Sequence, residues 1–226
     1  HLDNLTLTQP VAPANSFSTA LMAGGASSGS IGPFINTSGS AQTKLYHCSL
    51  HPVTMKGTLI ITPNHPPTAD SLTPVNIITD VGGSQTFTLV LSDPDGWQNI
   101  AVADLYLSGG LQNDWLHYLE SPNLFTMLGS NDFCNPGQAK TLSSGYLTLD
   151  CGASSVSGSG NTLTVMFRVT PQPSFAGGVY NLFFAVADQG GGADAKFAGT
   201  WLVSTPTTTT TTTTEPTTTT TEPTTT

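Results

Sequence analysis

Leu163-Thr164-Val165-Met166-Phe167-Arg168-Val169 places Leu163, Val165, Phe167 and Val169 at every second position, alternating with Thr164, Met166 and Arg168. A two-residue period belongs to a strand with one face in a core, because successive side chains leave a strand on opposite sides. The same reading holds for Phe87, Leu89 and Leu91 against Thr88 and Val90, and for Tyr180, Leu182, Phe184 and Val186. Turn signals fall between these runs: Asp93-Pro94-Asp95-Gly96, Gly109-Gly110, Asn135-Pro136-Gly137 and Gly190-Gly191-Gly192. Half-buried strands joined by such turns predict antiparallel sheets packed as a sandwich.

The rest of the composition agrees with an all-β chain. Of 226 residues only 8% are charged, with 23 Gly and 16 Pro, the palette of short strands and turns rather than of helices rich in Glu and Lys. The net charge of -9 excludes nucleic acid and anionic membrane surfaces as partners, since both require clustered bases. No apolar run approaches the roughly 20 residues of a membrane-spanning helix, so no transmembrane segment is expected. No signal peptide is recognisable, and a start at His1 is read as a processed form or a fragment.

Two boundaries divide the chain. Residues 205–226 are Thr with periodic Pro and Glu, without apolar side chains to offset the entropy of folding. A disordered Thr/Pro-rich stalk is expected there, with O-linked sugar acceptors and a role in cell-surface association. Pro63-Asn64-His65-Pro66-Pro67 reads as a stiff linker, 63–67, separating a unit of residues 1–62 from one of 68–204.

From Pro66 to Val203 the second unit resembles Ig-like modules that recur in secreted bacterial proteins. The resemblance rests on Ser84-Gln85-Thr86-Phe87-Thr88, Ser92-Asp93-Pro94-Asp95-Gly96-Trp97-Gln98, Ser157-Gly158-Ser159-Gly160-Asn161-Thr162-Leu163-Thr164 and Gly199-Thr200-Trp201. It implies an Ig-like β-sandwich and carries no chemistry with it.

The cysteines are Cys48, Cys134 and Cys151. An odd count leaves at least one thiol outside an internal disulfide. Cys134 and Cys151 flank a short loop, and their closure is the expected pairing. The alternatives, 48–134 or 48–151, would tie the two units together.

In the first unit, Thr43 to Cys48 and Gly57-Thr58-Leu59-Ile60-Ile61-Thr62 read as neighbouring strands. Between and around them runs Tyr46-His47-Cys48-Ser49-Leu50-His51-Pro52-Val53-Thr54-Met55-Lys56-Gly57. A thiolate, an imidazole and a thioether on one inter-strand loop form a soft donor set that selects copper over hard cations. A structural zinc site would need a second Cys or His pair nearby, a binuclear copper centre a second cysteine in the loop, and haem attachment a Cys-x-x-Cys-His run. None of these is present in the sequence.

The segment resembles the C-terminal ligand loop of the cupredoxins, a family that includes plastocyanin, pseudoazurin and amicyanin. Phe17-Ser18-Thr19-Ala20-Leu21-Met22-Ala23-Gly24-Gly25 and Ser30-Ile31-Gly32-Pro33-Phe34 are also similar to segments preceding this strand in bacterial members. The resemblance covers residues 1–62. It implies a cupredoxin-like Greek-key sandwich, N-terminally incomplete here, with Cys48, His51 and a second upstream histidine in the plane and Met55 as weak axial ligand. His1 is the only histidine before His47 and takes that second place. The implied function is outer-sphere electron transfer by a Cu(I)/Cu(II) couple in a secreted protein, with an unknown redox protein partner and no substrate turnover. Rival readings are a structural or adhesive surface protein with an incidental copper site, copper storage or delivery, and a histidine-brace site at a true N-terminal His1.

Other residues have plainer readings. Cys48 and Met55 taken singly would be core residues. His47 alternates away from Cys48 and is expected at the surface. Lys44 falls on the inward phase, a conflict that a bulge would resolve. His65 and His117 are expected as satisfied surface or core histidines. Asp93-Pro94-Asp95-Gly96 reads as an Asx-type turn rather than a calcium seat. Asn4-Leu5-Thr6 and Asn36-Thr37-Ser38 match the glycosylation sequon. No catalytic triad or paired-carboxylate signature stands out.

Overall fold

The computed structural model describes residues 2–3, 11–12, 35–36, 38–48, 56–109 and 112–205. The stalk expected over 205–226 therefore lies, after Thr205, outside the described residues.

The strands of the first 61 residues are β1 (Leu2–Asp3), β2 (Val11–Ala12), β3 (Ile35–Asn36), β4 (Gln42–Cys48) and β5 (Lys56–Ile61). They make a three-stranded sheet in the order β1-β4-β5 and a two-stranded pair, β2-β3. The β4–β5 register runs unbroken from Gln42 opposite Ile61 to His47 opposite Lys56. The bulge expected at Lys44 is therefore not there; straight pairing of the two strands carries Lys44 through opposite Leu59.

The later strands are β6 (Thr68–Thr73), β7 (Ile77–Asp80), β8 (Gln85–Ser92), β9 (Ile100–Gly109), β10 (Gln112–Leu119), β11 (Leu124–Met127) and β12 (Phe133–Cys134). After them come β13 (Thr141–Ser143), β14 (Leu147–Asp150), β15 (Ser155–Ser159), β16 (Thr162–Pro171), β17 (Val179–Asp188) and β18 (Ala193–Ser204). They form two sheets, β12-β11-β10-β9-β17-β18-β7 and β13-β14-β16-β8-β6, with β15 added to β16. All pairings are antiparallel except β7 on β18.

The described chain is thus an all-β sandwich, and its core lies where the two-residue alternation predicts. Phe87, Leu89 and Leu91 of β8 and Leu163, Val165, Phe167 and Val169 of β16 are fully buried from one sheet. Leu105 and Leu107 of β9, Leu182 of β17 and Trp201 of β18 meet them from the other. Each fully buried side chain of this size contributes about 1.5–3 kcal/mol. Aromatic contacts join the layers: Phe87 meets Trp201 edge to face at 5.1 Å, and Phe125 meets Phe167 at 5.3 Å.

Cys134 and Cys151 are joined, with the sulfurs 1.98 Å apart, and both are fully buried. Asp93–Gly96 is the turn its sequence predicts. Oδ1 of Asp93 accepts from the Asp95 N–H (2.7 Å), its carbonyl accepts from the Gly96 N–H (3.0 Å), and Gly96 takes φ 105, which only glycine adopts without strain. Among the described residues no helix is long and apolar enough to cross a membrane.

Candidate functional site

The loop singled out for metal chemistry is the connection of the β4–β5 hairpin. The last pair of that hairpin is His47 with Lys56, so Cys48 ends β4 just beyond it and the chain from Ser49 to Met55 closes the turn. On its other edge β4 pairs with β1, Leu2 opposite Cys48 and Asp3 opposite His47. Directly opposed residues in an antiparallel pair have Cα atoms about 4.5–5.5 Å apart. The residue following His1 is thus the backbone partner of Cys48. His1, His51 and Met55 lie outside the described residues, and for Cys48 the backbone alone is described.

The disulfide bears on the same site. Because Cys134 and Cys151 take each other, Cys48 is the one cysteine that the bond leaves over. Among the described residues no three His, Cys, Asp or Glu side chains converge as a metal group.

The segment 63–67, read from sequence as a spacer, is held at Asn64. Its N–H donates to the Asn36 carbonyl (2.8 Å), and its Nδ2 donates to Oδ2 of Asp188 (2.9 Å). Its Oδ1 accepts from Nδ2 of Asn99 (3.0 Å), which also donates to Oδ2 of Asp93 (3.1 Å). Beside it the His65 N–H and Nδ1 both donate to Asp95, at 2.6 and 2.9 Å. Burial, with the Asp95 and Asp188 carboxylates close by, pushes the Asp93 carboxyl above its usual range against the hydrogen bonds it accepts.

Asn36 explains its own sequon. It is 1% exposed, its Nδ2 donates to the carbonyls of Ser40 and Ile61 (2.8 Å each), and its Oδ1 accepts from the N–H and Oγ of Ser38. The folded chain leaves no room for a glycan on that amide. Asn4 lies outside the described residues.

His117 is satisfied as expected: Nδ1 donates to Oδ1 of Asp104 (2.8 Å), and the ring stacks on Trp115 at 4.8 Å. That stack belongs to a feature the sequence reading missed. Trp115 of β10 lies opposite Tyr106 of β9, Tyr106 opposite Phe183 of β17, and Phe183 opposite Phe197 of β18. Aromatic rings thus form a row across four adjacent strands. The available signal was phase, since Tyr106 and Phe183 occupy the outward positions of strands whose inward positions are Leu105, Leu107, Leu182 and Phe184.

No protein-family model and no curated protein matches the chain.

Proposed function

We propose that the chain is a secreted mononuclear blue-copper protein whose first unit transfers electrons. The observation that carries this reading is the pairing of Leu2 with Cys48 at the end of a hairpin whose turn contains His51 and Met55. It brings the N-terminal strand to the strand end that bears the thiol.

The donor set suits a soft metal, with one thiol outside the disulfide, two imidazoles and a thioether. Cys48 ends β4, His51 and Met55 follow it in the sequence before β5, and His1 precedes Leu2, the residue that pairs with Cys48. Cys48 supplies the thiolate, which a bound metal keeps deprotonated below its free pKa of about 8.5. His1 and His51 complete the plane, and Met55 is the weak axial donor. Copper bound there would supply a one-electron Cu(I)/Cu(II) couple. A cupredoxin-like fold for the first unit and an Ig-like one for the second belong to the same proposal. So does placement outside the cell, which suits the Cys134–Cys151 bond, with residues 205–226 as the stalk.

The test is the visible spectrum of the chain loaded with Cu(II). A thiolate-to-copper band that bleaches on reduction is the result expected. A colourless oxidised protein with stoichiometric copper bound elsewhere overturns the reading.

A further inference from the structure

The outer faces of the two sheets differ. That of the sheet containing β8 and β16 carries Thr86, Thr88, Thr164 and Arg168 at its outward positions, with Val90 and Met166 among them and no aromatic ring. That of the other sheet carries the row Trp115, Tyr106, Phe183 and Phe197, with neighbouring ring centroids 5.4, 6.1 and 5.4 Å apart. Leu128, the residue after β11, donates its N–H to the Trp115 carbonyl (2.9 Å) and extends the row by one position. Threonine and aromatic residues are both good strand formers, so strand propensity does not demand rings on this face. Phe197 and Leu128 are 58% and 49% exposed, an apolar stripe left in water at a cost.

We propose that this row binds a neutral polysaccharide chain, laid across the strands. The proposal does not rest on the copper reading.

Four features select that ligand. First, Tyr106, Trp115, Leu128 and Phe183 line, with Asn113, Ala185 and Ala195, an open depression of 560 Å³. A 300 Å³ hollow continues it over Ala187 and Ala193 to Asp104. Second, the row is one side chain wide and hydrogen-bonding groups border it. Asn113, Ser108, Asn181 and Thr200 pair in register on one side, and the His117–Asp104 pair lies on the other. A pyranose has that same division, a flat face of C–H bonds that packs on a ring and an edge of hydroxyls that need polar partners. Third, no Lys or Arg stands in the row or in either bordering row; of the two carboxylates nearby, Asp104 is held by His117, and Asp194, at the second hollow, by the Ala69 N–H and Lys196. Nothing there pairs with a charged ligand. Fourth, five side chains, on four strands and at the position after β11, about 4.8 Å apart make a track roughly 19 Å long. A stable protein interface takes about 20–30 residues a side, far more than this stripe supplies, which disfavours a protein partner or a second copy.

The experiment is calorimetric titration of the full chain with cellohexaose, xylohexaose and mannohexaose, together with depletion by insoluble cellulose and chitin. At least one probe should bind, with little dependence on salt. Trp115→Ala and Phe183→Ser should each weaken that binding by at least about tenfold. Phe197→Ser, at an exposed position that the core does not need, should weaken it while leaving the thermal transition in place. Thr88→Ala, on the opposite outer face, should leave binding unchanged. Failure of every probe to bind overturns the proposal, as does equal binding by the row variants. A dimer in sedimentation equilibrium that Phe197→Ser dissociates would assign the row to self-association and overturn it too.

Discussion

Leu2 and Cys48 are direct partners across the antiparallel pair β1–β4. On the copper reading this contact couples the N-terminal strand to the thiolate, so the two can be perturbed separately. Cys48→Ser should abolish the charge-transfer band of the copper-loaded chain. Met55→Leu should keep the band and shift the reduction potential, because only a weak axial donor is lost. Visible absorption and voltammetry on the same samples check both outcomes.

The Cys134–Cys151 bond closes a loop with a sequence separation of 17. In the chain-entropy account a loop of that size contributes about 3 kcal/mol. The Cys134→Ala/Cys151→Ala double variant should therefore lose about that much in urea unfolding, with the copper spectrum unchanged. A lost spectrum would mean that Cys48 depends on the loop after all.

Much of the sandwich is legible from the two-residue period alone, since Leu163, Val165, Phe167 and Val169 read as inward and are fully buried. Pairing order is not legible, because β8 and β16 meet only after a long excursion of chain and alternation says nothing about which strand lies beside which. Asn64 hid inside a proline-rich segment that reads as spacer; its partners Asp188 and Asn99 are distant in sequence, and hydrogen bonds leave no periodic trace. The aromatic row was partly visible as rings in the outward phase, but only the register shows that they line up. Of the proposed copper ligands, the sequence supplies the donor types, and the backbone adds the Leu2–Cys48 pairing.

Asn64 should matter well beyond its place in a linker. Asn64→Ala removes a donor to Asp188, which is 6% exposed, and an acceptor for Asn99. Leaving buried polar groups short of partners costs about 1–3 kcal/mol. Urea unfolding should show that loss, and limited proteolysis should cut at 62–67 faster than in the parent.

Gly158 is fixed by Trp97, whose Cδ2 would lie 2.1 Å from a Cβ placed there. Gly158→Ala should displace the indole and cost about 1–3 kcal/mol by overpacking. A shift in tryptophan emission that accompanies the lower unfolding midpoint would locate the damage at Trp97.

Asp114 provides the pH test. It is 1% exposed, and burial pushes its carboxyl above the ordinary value of 3.8. Hydrogen bonds from Ser144 Oγ and from the Trp115 N–H (2.8 Å) act in the lowering direction without overcoming burial. A folded-state pKa above the unfolded one means that the native protein holds more protons than the unfolded chain between the two values. Stability contributed by this group is then full below 3.8 and falls as pH rises through its raised folded pKa. Asp114→Asn is close in shape, keeps an acceptor for the Trp115 N–H, and turns an amide N–H toward a hydroxyl that can accept it. The variant should match the parent near pH 3 and become the more stable of the two at pH 7. Urea midpoints at both pH values measure this; a variant less stable at pH 7 than at pH 3, relative to the parent, would show that the ionised carboxylate is favoured in the fold.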